Sequence, residues 1–482
     1  MWRPFDIRPL TYLTFWIDEK LGGENPAGFH AVNLLLHLIA IMLVWDVLGR
    51  LIPRNAALIA TAIFAVHPFQ AEPVNYIFAR STLLATVLCL ASLAAWLRGH
   101  PWWATLWFAG ALLAKEECVA FPVLLLLLNS GNAGLKAGGS QECLPHKTQD
   151  IVGQPFRAAA GLLPGLRKVA VMFALSLAAG IRVMLAARST PGSGAGMQAA
   201  VSWQAYLSAQ GLVILRYLRM MLLPWGFTVD PDIPIPPAWI GAIAWLVVLS
   251  LVGLAALRFS RARAGFWFLT GLILLLPSSS IFPATDLAAD RRMYLPMLGF
   301  AACAGLLLER VRPGFLVPVL LLLTGLSFER TATWLTEEQL WTDAVEKAPR
   351  KVRPKIQLAR AVESGRAIRI LEEARHIAPE DPQIASEEGR IYLSEGRPAE
   401  ALQHFGRALA LAPSSADALN NRGAALAALD QKDAARQDFE RALAIDPCQF
   451  HARLNLQHLG ISKPMPAGCR FNAEQSRALE GK

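Results

Sequence analysis

FHAVNLLLHLIAIMLVWDVLGR, residues 29–50, decides the fold class. Between Leu34 and Leu48 only His37 and Asp46 interrupt the apolar side chains, and Arg50 closes the run. About 20 apolar residues in helical conformation cross a bilayer core, and outward from this stretch the pattern recurs. Apolar runs follow at 56–68, 81–97, 103–114, 118–129, 169–186, 208–224, 239–257, 265–279, 296–309 and 314–328. Several fall short of a full span, so their helices must extend into polar flanks, and the expectation is about ten crossings. The N-terminal MWRPFDIRPLTYLTF carries charges and prolines where a cleavable signal would have its apolar core.

Composition implies two solvents. The 482 residues are 54% hydrophobic with a mean hydropathy of +0.36, too apolar for a purely soluble chain. Residues 1–334 hold 16 acidic and 25 basic side chains and residues 335–482 hold 21 of each, so the net +9 belongs to the first part. Those basic residues occupy short gaps between apolar runs rather than one basic face, which argues against a nucleic-acid partner. Six cysteines without close spacing describe neither a disulfide scaffold nor a zinc site.

The gaps also orient the chain. Arg50 and Arg54, Arg98, Arg258, Arg261 and Arg263, and Arg310 and Arg312 mark cytoplasmic loops. Residues 1–30, 67–80 and 278–295 and the whole tail then lie on the opposite side. The run at 208–224 conflicts with this alternation. Either it is re-entrant, or 103–129 is one helix with a broken, polar centre.

From residue 380 a period of 34 separates Gly389 from Gly423, Phe405 from Phe439, Ala408 from Ala442 and Pro413 from Pro447. A small residue at a close helix crossing, an aromatic on the second helix and a proline after it match the tetratricopeptide helix–turn–helix unit. Leu371, Ala374 and Pro379 carry the phase backwards, WTDAVEKAP at 341–349 reads as the second helix of a shortened unit, and HARLNLQHLG at 451–460 begins another helix. About three units form a short superhelix whose concave face is expected to hold a protein or peptide. The expected architecture is all-α: a polytopic membrane bundle over 1–334, a tetratricopeptide solenoid over 335–460, and a tail or cap over 461–482 in which Cys469 is isolated and inert.

Four polar groups fall on the outer side. Arg8-Pro9-Leu10 precedes a helix on which His30, Asn33 and His37 recur at spacings of three and four, hence on one face. Interhelical hydrogen bonding explains Asn33 and His37 as well as catalysis does. In HPFQAEPVNYIFAR, residues 67–80, His67, Glu72 and Arg80 lie where one helix emerges and the next enters, and Pro68 and Pro73 favour a shaped connection. Lys115-Glu116-Glu117 is a compensated charge cluster in an apolar setting, read either as mutual pairing or as an anchor for a phosphate. Asp286 and Asp290-Arg291-Arg292-Met293-Tyr294-Leu295-Pro296 place two arginines outside, against the usual charge bias. They suit a bidentate phosphate clamp, with Tyr294 able to bond or stack on a sugar.

Transfer of a sugar from a lipid phosphate would use these groups. A carboxylate orients or deprotonates the acceptor hydroxyl, and cations or a metal stabilise the leaving phosphate. RPLTYLTF, FHAVNLLLH, HPFQAEPVNYIFARSTLL, the Lys-Glu pair of LLAKEECVAFP and DRRMYLPMLGF, in that order before the repeats, resemble transmembrane and tetratricopeptide-repeat proteins of the protein O-mannosyltransferase type, in the GT-C glycosyltransferase superfamily. The resemblance covers about residues 7–460. It implies a polyprenyl-phosphate sugar donor, with mannose as the family's sugar, and a protein or glycan hydroxyl as acceptor. A divalent ion is left open. Arg8, His30, His37, His67, Arg80, Lys115, Glu116, Arg291, Arg292 and Tyr294 become candidate substrate contacts, and Glu72, Asp6 and Asp290 candidate catalytic carboxylates. The family pattern also implies a helix and an acidic outer loop ahead of RPL. Here seven residues precede it and Asp6 is their only acid, so the start lies too late, the chain is degenerate, or Asp6 or Glu72 takes the role. Two other classes stay open: an inactive membrane-anchored tetratricopeptide scaffold, and a transporter, which would place its polar groups nearer mid-bilayer. The alanine- and leucine-rich composition and compact loops point to a bacterial cytoplasmic membrane with a periplasmic tail.

Overall fold

The computed structural model describes residues 8–130 except 24, then 154–189, 201–257, 264–279, 286–466, 469, 471 and 473–480. Asp6 and the basic loop Arg258, Arg261 and Arg263 lie outside the described residues. All regular structure described is helical, in two units, residues 2–334 and 335–482.

The first unit begins with α1 (Pro9–Gly22), which has proline in its first turn, where the missing N–H costs nothing. Then come α2 (Pro26–Leu51), α3 (Arg54–Val66), α4 (Ala71–Asn75), α5 (Arg80–Leu97), α6 (Pro101–Ala114), α7 (Phe121–Ser130) and α8 (Gln154–Ser189). Asn25 caps α2 by accepting from the Ala27 N–H at 3.0 Å. Next are α9 (Trp203–Leu222), α10 (Ala238–Leu257), α11 (Ala264–Leu275), α12 (Met297–Leu308) and α13 (Pro313–Ala332).

Five described stretches are long and apolar enough to cross a membrane: Pro26–Leu51, Ile77–Leu97, Leu166–Leu185, Ala238–Leu257 and Pro313–Ala332. A sixth is the pair Arg54–Val66 and Pro68–Asn75, bent by 49° at the break that Pro68 imposes. Ala264–Ser278 and Met297–Leu308 are apolar but shorter. The membrane-bundle expectation therefore stands as five or six helices of spanning length among the described residues.

The ambiguity between 103–129 and 208–224 resolves locally. Phe108 and Phe121 stack with ring centroids 5.7 Å apart; a continuous helix, rising about 1.5 Å per residue, would hold them about 20 Å apart. The chain therefore turns back through residues 115–120, and 103–129 is not one helix. α9 is bonded along its length to residue 278 and to residues 287–289. Tyr206 donates to the Ser278 carbonyl (3.1 Å), Gln210 to Leu287 (3.1 Å) and Tyr217 to Ala289 (2.9 Å).

Small residues set the tightest crossings. A methyl group built on Gly299 would overlap the Gly271 nitrogen, and one on Gly305 would overlap the Ala56 carbonyl, so α3, α11 and α12 meet backbone to backbone. At the opposite helix ends Asp46 accepts from Arg50 (2.9 Å) and Arg98 (2.8 Å), joining α2 to the end of α5.

The second unit contains α14 (Glu337–Lys347), α15 (Val352–Ala361), α16 (Ser364–Ile377), α17 (Pro382–Ser394), α18 (Pro398–Leu411), α19 (Ala416–Ala428), α20 (Lys432–Ile445), α21 (Phe450–His458) and α22 (Ala473–Leu479). The period of 34 has a steric cause. Phe405 and Phe439 are fully buried over Gly389 and Gly423, where an added methyl would lie 2.7 and 2.6 Å from the rings. Each buried ring stabilises its pair by about 1.5–3 kcal/mol. Ser415 and Asp381 cap α19 and α17 at 3.2 and 2.9 Å.

Cys469 is not isolated: it forms a disulfide with Cys448, Cα to Cα 5.1 Å, across a separation of 21 residues. The buried Arg453 guanidinium donates to the Pro447 carbonyl (2.7 Å) and the Pro464 carbonyl (3.2 Å). Together they tie Pro464 and Cys469 back to α21 and the residues just before it. Sequence spacing missed this pair because its two cysteines flank a whole helix.

Candidate functional site

The sequence motifs converge at one end of the membrane bundle. Arg8, at the start of α1, donates to both carboxylate oxygens of Glu116, at 3.0 Å from Nε and 2.5 Å from Nη2. Lys115 is buried between Thr82 Oγ1 (2.8 Å) and Glu117 (2.7 Å). Glu72 sits on the short helix after the Pro68 break and is 2% exposed. It accepts from Arg291 twice, from Nη1 at 2.7 Å and from the backbone N–H at 3.2 Å. Arg291 also lies 3.6 Å from Asp286 and 5.9 Å from the centre of the Tyr76 ring. Asp290, 1% exposed, accepts from Arg216 (2.7 Å) and the Thr228 N–H (3.3 Å). Arg292 differs from its neighbours, since its guanidinium bonds carbonyls: Asp286 (2.7 Å), Leu287 (3.1 Å) and Ser278 (3.3 Å).

The remaining candidates support this cluster from behind. Arg80 is fully buried. It donates to Asn33 Oδ1 (2.9 Å), Asp18 (2.5 Å) and the Phe29 carbonyl (2.9 Å), and it lies 4.5 Å from the Phe15 ring centre. His37 Nδ1 is 2.7 Å from the Tyr294 hydroxyl and Nε2 is 3.3 Å from the Ala65 carbonyl. His67 Nδ1 accepts from the Phe69 N–H (3.2 Å), so Nε2 carries the proton toward the Met221 carbonyl (3.3 Å). His30 does not join: it lies in the opening of α2, where residues 25–28 are also exposed, while Asn33 and His37 are buried.

Asp18 and Arg216 were not among the sequence candidates. They pair with Arg80 and Asp290 across 62 and 74 residues, and no local spacing announces such pairs. Burial pushes the Glu116 and Glu117 carboxyls up in pKa. The Arg8 cation more than offsets this for Glu116, and Lys115 with Arg292 does so for Glu117, so both lie below the usual range. The cluster thus presents ionised carboxylates paired with cations. Among the described residues no three His, Cys, Asp or Glu side chains converge as a metal site. An apolar pocket of about 830 Å³, lined by Leu251, Phe268 and Leu306, ends at Glu309 and Arg310, at the other end of α12 from these charges.

A family model described as dolichyl-phosphate-mannose-protein mannosyltransferase matches residues 4–136, and one described as tetratricopeptide repeat matches 358–416 and 386–447. The chain is thus similar to protein O-mannosyltransferases over its first helices and to tetratricopeptide repeats in its second unit. Protein O-mannosyl-transferase F38B6.6 of Caenorhabditis elegans is 24% identical over 373 residues, 71% of this chain and 49% of its own. Protein O-mannosyl-transferase TMTC3 of Homo sapiens is 22% identical over 457 residues, 84% of this chain and 48% of its own. Similarity is higher over a shorter stretch in TMTC4 of Mus musculus, 42% over 101 residues, covering 18% and 14%. The chain spans about half the length of the first two of these relatives. Among solved structures, the crystal structure of MamA covers 30% of this chain and 82% of its own at 16% identity and a TM-score of 0.23. The named mannosyltransferase-type relatives are animal proteins. They overturn the expectation of a bacterial cytoplasmic membrane. That expectation rested on composition, which reports the apolar solvent and not the organelle.

Proposed function

We propose that the protein transfers a sugar from a polyprenyl-phosphate donor to a protein or glycan hydroxyl on the non-cytoplasmic side of its membrane. The observation that carries this reading is the meeting of Glu72 with Arg291, of Asp290 with Arg216, and of Lys115 with Glu117 at one end of the bundle. In the transfer the acceptor oxygen bonds to the anomeric carbon, the bond from that carbon to the phosphate oxygen breaks, and polyprenyl phosphate leaves. Arg291 and Arg292 suit the leaving phosphate, because a guanidinium stays charged and presents paired donors.

Glu72, buried, sets the position of Arg291, while Asp290, also buried, holds Arg216, and Arg292 is held by backbone carbonyls. Glu117, with a side chain 31% exposed, and Asp286, 29% exposed, are open enough to take the acceptor proton. About ten crossings form part of the same proposal, the shorter apolar helices α11 and α12 entering the bilayer beside the longer ones. The Cys448–Cys469 disulfide supports a tail on the non-cytoplasmic side, since such bonds persist in oxidising compartments.

The test is transfer from a radiolabelled mannosyl polyprenyl phosphate by purified protein. Loss of transfer in Glu72→Gln, Asp290→Asn and Arg291→Met, in samples shown to stay folded at the assay temperature, is expected. Undiminished transfer in all three rejects the site.

A further inference from the structure

At the end of the bundle away from the charged cluster, the cavity of about 830 Å³ is walled by Leu251, Leu254 and Ala255 of α10, Phe268 of α11, and Cys303 and Leu306 of α12. The first half of α10 is fastened to α9. A methyl built on Gly211 would lie 3.1 Å from Ala244, and the Trp245 indole donates to the Leu207 carbonyl at 2.7 Å. Along the second half Leu249, Leu254 and Leu257 are exposed. Leu254 both lines the cavity and faces outward, so the cavity opens sideways, toward the hydrocarbon around a membrane helix. Its volume is that of a site for a small ligand, about 300–1,000 Å³.

The cavity ends at two charges of opposite sign, the half-buried Glu309 and the exposed Arg310. Glu309 follows the last residue of α12, where the free carbonyls of the final turn form the negative pole of the helix. A carboxylate is repelled there and a cation is attracted. Among the described residues no side chain pairs with Glu309 or with Arg310. Asp46 makes the contrast: near the same end of the bundle it is held by Arg50 (2.9 Å) and Arg98 (2.8 Å).

We propose that this cavity binds a phosphatidylethanolamine from the leaflet opposite the charged cluster. An acyl chain fills the apolar walls, the phosphate meets Arg310, and the ammonium donates to Glu309 and to the negative end of α12. A head group with an anion and a cation a few bonds apart matches the adjacent charges of the mouth. A purely anionic head would answer Arg310 and leave Glu309 repelled. A choline head carries the positive charge but has no N–H to donate. Seated there, the lipid joins the free half of α10 to α11 and α12. The inference rests on the membrane bundle and makes no use of the transfer chemistry.

The experiment uses the full chain in detergent micelles, titrated with phosphatidylethanolamine, phosphatidylcholine or phosphatidylglycerol of identical acyl chains and read by native mass spectrometry. Phosphatidylethanolamine is expected to bind about tenfold or more tightly than either of the others. Glu309→Gln should bring phosphatidylethanolamine and phosphatidylcholine to within about twofold of each other, since it removes the charge that tells them apart. Leu254→Trp, at an exposed position of α10, fills the cavity without touching the buried core and should weaken binding about tenfold. Equal binding of the ethanolamine and choline lipids, tighter binding of phosphatidylglycerol, an unaltered preference in Glu309→Gln, or unchanged binding by Leu254→Trp would overturn the proposal. Displacement of bound phosphatidylethanolamine by polyprenyl phosphate would also overturn it, by giving the cavity to the tail of that lipid.

Discussion

Replacing Glu72 with Gln tests the centre of the membrane-end cluster. The substitution keeps the shape and one acceptor but turns the other oxygen into a donor, facing either the Arg291 backbone N–H (3.2 Å) or its Nη1 (2.7 Å). One charge-assisted hydrogen bond is lost, about 1.5–3 kcal/mol, and one donor is left facing a donor. Removing one partner of a fully buried pair costs about 3–5 kcal/mol. Arg291 keeps Asp286 at 3.6 Å and its side chain is 26% exposed, so the expected cost is lower, about 2–3 kcal/mol. Arg291→Met in the same background removes the stranded cation. The double variant should then be more stable than the sum of the single effects predicts, by about 1.5 kcal/mol or more. Unfolding in mixed micelles followed by tryptophan fluorescence gives the three free energies. Additivity within about 0.5 kcal/mol would show that the two residues are not coupled and that the cluster does not hold Arg291 through Glu72.

Further outcomes are expected elsewhere. Gly423→Ala places a methyl 2.6 Å from the Phe439 ring and should destabilise the repeats by about 1–3 kcal/mol; Gly406→Ala, with nothing within 4 Å, should stabilise α18 by up to about 1 kcal/mol, both read by denaturant titration with circular dichroism. Cys448→Ser opens a loop of 21 residues and should cost roughly 3 kcal/mol of local stability, seen as faster proteolysis of residues 461–469 than in the unreduced parent. Burial pushes the Glu387 carboxyl up, but its bonds from Arg360 and Arg390 hold it below the ordinary 4.5. A depressed carboxylate contributes stability in full above its unfolded value and loses it as pH falls through the folded one. Repeat stability should therefore drop on acidification below about pH 4.5, and Glu387→Gln should flatten that drop in melts taken across the range.

The parts readable from sequence were those written in local periods. The interval of 34 identified the repeats because Gly389 and Gly423 must leave room for a ring, a constraint that recurs with every unit. Apolar runs identified the membrane helices, yet not which of them crosses. α9 has the composition of a modest span, and its bonds to Ser278, Leu287 and Ala289 distinguish it. At the candidate site the motifs containing Arg8, Glu72, Lys115 and Asp290 were visible as unusual charges in an apolar chain. Their pairings were not. Arg216 lay inside the apolar run 208–224, far in sequence from Asp290, and Asp18 lay between the motifs RPLTYLTF and FHAVNLLLH. His30 shared a helical face with Asn33 and His37, but a face is defined by angle alone and burial also depends on depth along the helix.

The glycine crossings of α3, α11 and α12 carry a mechanical consequence. α3 ends immediately before His67, and α12 begins just after Tyr294. Two helices locked backbone to backbone at Gly305 and Ala56 must move as one solid strut, carrying both edges of the charged cluster together. The other wall is closed differently: α1 meets the turn at 115–120 through polar side chains, Arg8 on Glu116 and Thr11 on the Ala114 carbonyl, and not through interlocked backbone.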